Sequence, residues 1–178
     1  MDNIQLVDVV SQYKKIQNEM DEAIHRVIDS GQFILGKDVT NFENNCNQFL
    51  NVQHAIGCAS GTDALQIALM ALGIGPDDEV ITTSFTFVAT VETIALVGAT
   101  PVYVDIEDDT FNINVSKIEQ AITPKTKAIL PVHLYGLPAN MDGILHLAKK
   151  YNLYVIEDAA QAFGSVYRGR KVGGLGHI

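Results

Sequence analysis

The stretch GPDDEVITTSFTFVATVETIALVGATPVYVD, residues 75–105, places two short apolar runs on either side of a helical pattern. The runs at residues 79–82 and 102–105 are rich in β-branched side chains and have the length of buried strands, whereas residues 89–97 repeat apolar side chains at helical spacing. Two strands joined by a crossover helix form a parallel pair. The stretch therefore predicts an α/β fold.

The same alternation continues along most of the chain. It predicts further strands near residues 55–58, 128–132 and 153–157, further helices near residues 62–72, 116–121 and 141–151, and a hairpin over residues 165–172. The first fifty residues differ, because they predict two helices, at 10–29 and 38–50, around a break at residues 31–36. We expect a helical segment over residues 1–50, and over residues 51–178 an α/β domain with a mainly parallel sheet and helices on both faces.

Composition and charge narrow the classes of protein to consider. Of the 178 residues, 47% are hydrophobic and 19% are charged, which is typical of a globular domain with a continuous core. The net charge is −9 and no basic patch is evident, so we expect no nucleic-acid or membrane partner. The two cysteines, Cys46 and Cys58, and the five histidines share no ligand spacing, so we expect no metal site. Residues 1–15 lack the pattern of a signal peptide, which predicts a cytoplasmic protein.

The first candidate site motif is Ser-Gly-Thr-Asp-Ala-Leu at residues 60–65, which follows a predicted strand and opens a predicted helix. The first amides of a helix have no intrahelical partner and lie at the positive end of the helix dipole, so Gly61 and Thr62 could hold a phosphate. The alternative is an ordinary helix cap by Ser60. In addition, Asp63 would repel a phosphate unless its carboxylate turned away.

The second motif, Leu-Tyr-Val-Ile-Glu-Asp-Ala-Ala-Gln-Ala at residues 153–162, ends an apolar strand in two acids. Because neighbouring strand residues face opposite ways, Glu157 and Asp158 cannot both enter one site. A carboxylate at the carboxyl end of a central parallel strand lies where such sheets bind ligands, and it suits a protonated ring nitrogen. The alternative is a loop acid that caps the next helix.

The third motif, Thr-Ser-Phe-Thr-Phe-Val-Ala-Thr at residues 83–90, also follows a predicted strand. Phe87 could stack on a flat ring, or it could lie in the core, which is the commoner place for a phenylalanine. Together the three motifs would supply a phosphate holder, a ring platform and a ring-nitrogen partner at three strand ends. This set predicts a site for pyridoxal 5′-phosphate (PLP).

The motifs also carry a family resemblance that covers nearly the whole chain. The strings concerned are GKDV (36–39) with Phe42 and Glu43, SGTDAL (60–65), GPDDEVI (75–81), FTFVAT (85–90), GATPV (98–102), AILPVHLYG (128–136) and IEDAAQA (156–162). In this combination the chain resembles the DegT-type PLP-dependent nucleotide-sugar aminotransferases. The resemblance implies PLP fold type I, the aspartate-aminotransferase type, in which a large α/β domain precedes a smaller carboxyl-terminal one. This sequence would supply an incomplete large domain and none of the small domain.

The resemblance assigns roles to individual residues. Gly61 and Thr62 would bind the PLP phosphate, and Phe87 would stack on the ring. Asp158 would pair with the pyridine nitrogen, and Gln161 would form a hydrogen bond with the ring hydroxyl. In the family pattern the Schiff-base lysine follows the segment seen here at residues 173–176, so none of the residues present is expected to be catalytic. We therefore expect this chain alone not to transaminate.

The reaction implied by the resemblance is transfer of an amino group from glutamate to a keto-sugar carried on a nucleoside diphosphate, such as dTDP-3-keto-6-deoxyhexose. Family members are dimers whose sites are completed by the partner subunit, so we expect a homodimer or higher self-association. Two alternatives stay open. One is a sugar dehydratase of the same family, in which histidine replaces the lysine, and the other is a non-catalytic remnant that binds PLP or sugar nucleotide or pairs with a full-length relative.

Overall fold

The computed structural model describes residues 7–178. The first six residues, which belong to the segment assessed for a signal peptide, lie outside the described part. The chain divides into two units, one ending at Asn45 and the other running from Cys46 to Ile178. The division into domains after residue 50 stays a prediction.

Helices make up the first unit. They are α1 (Val9–Lys15), α2 (Gln17–Ser30) and the beginning of α3 (Lys37–Leu50). The single helix predicted at residues 10–29 is interrupted at Ile16, whose φ of −121° and ψ of 16° are not helical. Gly31 ends α2 with a φ of 66°, a conformation that costs glycine little and other residues more.

The second unit alternates helices and strands. Its helices are α4 (Gly61–Ala71), α5 (Val88–Leu96), α6 (Val115–Ala121) and α7 (Met141–Tyr151), with a 3-10 turn at Leu134–Gly136, and its strands are β1 (Glu79–Thr83), β2 (Thr100–Val104), β3 (Thr126–Ile129), β4 (Tyr154–Val155), β5 (Val166–Tyr167) and β6 (Arg170–Lys171). The first four strands form a parallel sheet in the order β2-β1-β3-β4, and β5 and β6 form the predicted hairpin. In register, Ile81 lies between Val102 and Ile129.

Successive side chains of the central strand β1 enter two different apolar clusters. Val80 belongs to a buried cluster with Ile94 of α5, whereas its neighbour Ile81 belongs to a buried cluster with Ile144 of α7. This alternation follows from the pleat of a strand, which turns neighbouring residues to opposite faces. Helices therefore cover both faces of the sheet, and the predicted α/β class is confirmed.

The strand predicted at residues 55–58 is wrong. These residues lie outside every strand in the described part of the chain, and Ile56 is 82% exposed. A short apolar run becomes a strand only where a neighbouring strand completes its hydrogen-bond ladder. None of the four strands in the described parallel sheet pairs with this segment.

The outer edge of β4 is occupied by the residues that end the chain. Val155 O accepts a hydrogen bond from His177 N at 2.8 Å, and Glu157 N donates to Ile178 O at 2.8 Å. His177 Nδ1 also accepts from Val155 N at 3.0 Å. These contacts satisfy backbone groups that an open sheet edge would leave unpaired.

Cys46 and Cys58 are free cysteines. Between residues 7 and 178, no group of three or more His, Cys, Asp or Glu side chains is arranged to hold a metal ion. Over the same residues, no helix has both the length and the apolar content needed to cross a membrane.

Candidate functional site

A pocket of about 180 Å³ lies at the carboxyl edge of the parallel sheet. Its lining consists of Gly61, Thr62, Leu65, Thr86, Phe87, Ala89, Val132, Asp158, Ala160 and Gln161. The five residues predicted to hold a cofactor are all in this set. Parallel sheets bind ligands at this edge because the loops that follow different strands converge there. The structure therefore brings the predicted residues together, while their individual roles stay predictions.

The amino end of α4 forms one side of the pocket. Ser60 Oγ accepts a hydrogen bond from Asp63 N at 3.1 Å, and the Ser60 hydroxyl donates to Asp63 Oδ2 at 2.8 Å. Ser60 is thus a helix cap, and it holds the Asp63 carboxylate, which is not part of the pocket lining. The amides of Gly61 and Thr62 form no hydrogen bond with any residue that the structure describes. They are available to an anion.

Glycine at position 61 is not required by the backbone conformation or by packing. Its φ lies outside the left-handed region, and a Cβ built there would meet no described heavy atom within 4 Å. In a helix, glycine costs roughly 0.5–1 kcal/mol relative to alanine. A glycine in this open position is explained if a ligand must approach the neighbouring amides closely, as phosphate groups do at helix starts.

Asp158 is the one ionisable side chain in the pocket lining, and it is 7% exposed. Its backbone continues the sheet, since Asp158 N donates to Pro131 O at 3.0 Å and Asp158 O accepts from His133 N at 3.0 Å. Its Oδ1 accepts from Ala160 N at 3.2 Å and its Oδ2 from Thr90 Oγ1 at 2.7 Å. The bond to Ala160 is a local turn contact of the kind that the capping alternative anticipated. The same carboxylate also faces the pocket.

Phe87 and Gln161 add a ring surface and an amide. Phe87 immediately precedes α5 and is 67% exposed, so it is not a core residue in the described structure. Gln161 Oε1 accepts a hydrogen bond from Tyr135 N at 2.8 Å. Because this contact identifies the oxygen, the side-chain nitrogen of Gln161 is left as a donor for a ligand.

Glu157 faces away from the pocket, as strand alternation predicts. Its carboxylate is buried and accepts hydrogen bonds from Gly173 N at 2.9 Å, Leu175 N at 2.7 Å and Gly176 N at 2.6 Å. His133 Nε2 lies 2.9 Å from Glu157 Oε2. Burial alone would raise the pKa of Glu157, but the hydrogen bonds from His133 and the three backbone amides outweigh it and hold the pKa below its ordinary value.

The contact between His133 and Glu157 is a hydrogen bond from a neutral imidazole. His133 is fully buried, and its Nδ1 accepts a hydrogen bond from Ala139 N at 3.0 Å. A nitrogen that accepts carries no proton, so the ring hydrogen is on Nε2 and is donated to Glu157. Both ring nitrogens of His133 therefore have partners within the chain.

A family model covers these strand-end motifs and nearly all of the chain around them. The model of the DegT/DnrJ/EryC1/StrS aminotransferase family matches residues 14–178. This chain belongs to that family. The predicted resemblance is confirmed.

Individual family relatives and solved structures agree with this assignment. The UDP-2-acetamido-2-deoxy-3-oxo-D-glucuronate aminotransferase of Pseudomonas aeruginosa is 52% identical over 168 residues, which are 94% of this chain and 47% of the relative. DesV of Streptomyces venezuelae, solved in complex with a ketimine intermediate, has a TM-score of 0.96 at 45% identity and matches 98% of this chain and 47% of its own. NtdA of Bacillus subtilis, solved with bound cofactor PMP, has a TM-score of 0.85 at 40% identity over 95% of this chain and 39% of its own.

The extent of these matches bears on the fold. The chain spans about half the length of the curated relatives it matches. Over that half, it has the fold of the matching aminotransferase structures. The predicted fold class, an α/β fold of the PLP-dependent aminotransferase type with a mainly parallel sheet, is confirmed.

Two threonines near the pocket were not singled out in the sequence. Thr86 lines the pocket, and its Oγ1 lies 2.9 Å from Thr90 Oγ1, which in turn contacts Asp158. The signal available in the sequence was a spacing of four residues at the start of a helix, which brings two side chains onto one face. That spacing alone does not indicate a partner on a distant strand.

Proposed function

We propose that this chain binds PLP in the pocket at the carboxyl edge of its sheet, and that it forms the cofactor-binding part of an aminotransferase acting on nucleotide-linked keto-sugars. The observation that carries the proposal is the convergence of five residues on one pocket: Gly61, Thr62, Phe87, Asp158 and Gln161. Family membership supports the reaction class. Bound PMP in a structure of similar fold supports the cofactor.

The side chains present fit the chemical parts of PLP. The free amides of Gly61 and Thr62 suit the phosphate, and the exposed ring of Phe87 suits the aromatic face. The donor nitrogen of Gln161 suits the ring oxygen. Asp158 holds a proton at the ring nitrogen, because a nearby carboxylate favours the charged form of a base. PLP, when bound, supplies the electron sink that amino transfer requires.

The substrate class is proposed from the relatives. The P. aeruginosa relative is named for a UDP-linked sugar with a 3-oxo group. We propose a keto-sugar of a nucleoside diphosphate, with the keto group at position 3 and glutamate as amino donor. The dTDP-linked 6-deoxyhexose expected from the sequence stays a prediction. A comparison of UDP-linked and dTDP-linked 3-keto-sugars as amino acceptors tests which nucleotide the substrate carries.

The pocket lining also indicates how PLP would be held. None of its ten residues is a lysine, so we expect the cofactor to bind non-covalently to this set. Borohydride treatment of the PLP-loaded chain should leave no pyridoxyl group on a lysine when peptides are analysed by mass spectrometry.

The expectation that the chain alone does not transaminate stays a prediction. Turnover with PLP, glutamate and a keto-sugar nucleotide would contradict it.

Replacing Gly61 with alanine tests the phosphate end of the site. The new methyl group meets open space, so folding stability should change little, while the methyl group obstructs the approach of a phosphate to the amides. We expect the Kd for PLP to rise about tenfold, which corresponds to the loss of roughly one strong hydrogen bond. Isothermal titration calorimetry gives the Kd, and thermal unfolding gives the stability.

Gly75→Ala is the matched control for this variant. Gly75 also has a φ outside the left-handed region, and a Cβ there would make an ordinary contact at 3.6 Å with Val97 O. It is not part of the pocket lining. We expect its affinity for PLP to equal that of the wild type. An unchanged Kd in G61A would show that the phosphate does not bind at α4.

Self-association belongs to the same proposal. Several large apolar side chains are exposed around the sheet edge that carries the pocket, including Phe85, Phe87 and Tyr135. We propose that a second copy of the chain covers part of this surface, as expected from the family. Sizing with light scattering tests it, and a monomer at micromolar concentration would contradict it. The cytoplasmic location stays a prediction.

A further inference from the structure

The Asp158 carboxylate is held by a buried threonine from another part of the chain. Thr90 Oγ1 donates to Asp158 Oδ2 at 2.7 Å, across 68 residues of sequence. Thr90 is fully buried in α5, and its Oγ1 lies 2.9 Å from Thr86 Oγ1. A carboxylate only accepts hydrogen bonds, so the hydroxyl hydrogen of Thr90 is committed to Asp158. Thr86 must then donate to Thr90, which gives a directed chain of two hydrogen bonds ending at the carboxylate.

Packing does not explain the choice of threonine at position 90. Valine has nearly the same shape, and it would fill a buried helix position without a hydroxyl to satisfy. A buried threonine hydroxyl in a helix can also bind the backbone of its own helix. Thr93, which is fully buried in the same helix, does so, because its hydroxyl donates to Thr90 O at 3.3 Å. Thr90 instead directs its hydroxyl to the strand end that lines the pocket.

The two donors to Asp158 define the plane of its carboxylate. Thr90 binds Oδ2, and Ala160 N binds Oδ1 at 3.2 Å. Rotation of the side chain would break both contacts and leave a buried charge without partners, which is costly. The carboxylate is therefore oriented before any ligand enters the pocket.

We propose that Thr90, supported by Thr86, is a positioning residue for the cofactor site and fixes Asp158 in the orientation that meets the ring nitrogen of PLP. This inference rests on the proposed function. It assigns Thr90 no contact with the cofactor or the substrate. Its effect is exerted through the Asp158 carboxylate alone.

The test compares variants of the full chain at a single pH. Thr90→Val keeps the shape and removes the donor, Thr90→Ser restores the hydroxyl, and Thr93→Val makes the same change one turn away. We expect the Kd for PLP, measured by calorimetry, to rise about tenfold in T90V, the usual effect of one hydrogen bond to a charged group. T90S and T93V should stay within about twofold of the wild type.

A second readout separates positioning from a general structural role. The ¹⁵N resonance of the ring nitrogen in bound, labelled PLP reports whether that nitrogen is protonated. We expect the protonated signal in wild type, T90S and T93V, and a shift towards the neutral signal in T90V. If Thr90 had only a structural role, the T90V substitution would lower the melting temperature and leave this resonance unchanged.

The outcomes distinguish this inference from the proposed function. If wild-type protein binds no PLP, the proposed function is wrong and this inference fails with it. If wild type binds PLP and T90V matches T93V in Kd and resonance, the positioning role alone is wrong. Should T90V fail to fold, Thr86→Val carries the test. A smaller rise in Kd is then expected, and an unchanged Kd overturns the proposal.

Discussion

Replacing Glu157 with glutamine is expected to lower the free energy of unfolding by about 3 kcal/mol, the range measured when a buried, hydrogen-bonded charge loses its partners. The carboxylate accepts from Gly173, Leu175 and Gly176 amides and from His133. A glutamine has one oxygen in place of two, and its amide nitrogen would face donors. At least one backbone amide of the segment after β6 would lose its acceptor.

The measurement is urea unfolding of E157Q against wild type, followed by far-UV circular dichroism. Glu119→Gln is the control, because Glu119 is also an acid with a lowered pKa, caused by hydrogen bonds from Lys150 and Tyr151. Glu119 is exposed, so solvent screens these contacts and the change in stability should be small. Equal losses of stability in the two variants would show that the buried hydrogen bonds of Glu157 contribute no more to the free energy of unfolding than the exposed ones of Glu119.

The pH dependence of the same comparison follows from the lowered pKa of Glu157. A group with a lower pKa in the folded state contributes stability above its unfolded pKa, about 4.3 for glutamate, and loses that contribution as the pH falls through the folded pKa. The difference in stability between wild type and E157Q should therefore be constant near neutral pH and narrow below about pH 4. A difference that widens in acid would contradict the direction of the pKa shift.

Most of the sheet could be predicted because each of its strands contributes buried apolar residues and has its own local sequence pattern. The runs that contain Ile81, Ile129 and Val155 are short, apolar and bounded by turn residues, and all three residues are buried in the parallel sheet. The run at residues 55–58 has the same appearance but lacks a partner strand in the described sheet. A local sequence pattern indicates that a segment prefers to be a strand, but it does not indicate whether a partner strand lies beside it.

Two of the candidate site residues were predictable because they follow strands in sequence. Phe87 follows β1 and Asp158 follows β4, and parallel topology brings such positions to one edge. Gly61 was found from its motif at the start of α4, although the strand predicted before it is absent from the described sheet. Thr90 was missed because its contact with Asp158 joins a helix to a strand end 68 residues later. The hydrogen bonds from backbone amides to the Glu157 carboxylate were missed for the same reason. Their donors come from a loop whose course the sequence pattern does not specify.

Replacing Asp158 with asparagine should have the largest effect on the proposed cofactor site. Asparagine keeps the shape but removes the charge that favours a proton at the ring nitrogen of PLP. Removing one partner of a desolvated charge pair typically costs 2–5 kcal/mol, so we expect the Kd for PLP to rise about 100-fold. The ¹⁵N resonance of the ring nitrogen in any PLP that still binds should be that of the neutral base.

The stability of the apo protein separates this effect from unfolding. Asparagine still offers one oxygen to Thr90 or to Ala160, and it relieves the chain of a buried charge, so D158N should unfold within about 1–2 kcal/mol of wild type. Asp105→Asn is the control, because Asp105 is exposed, pairs with Lys117 at 3.0 Å and is not part of the pocket lining. If D158N binds PLP as tightly as D105N does, the ring nitrogen is not held by Asp158. Asp158 is the one carboxylate among the lining residues, so no other lining residue could take its place beside the ring nitrogen. The proposed orientation of the cofactor in the pocket would then be wrong.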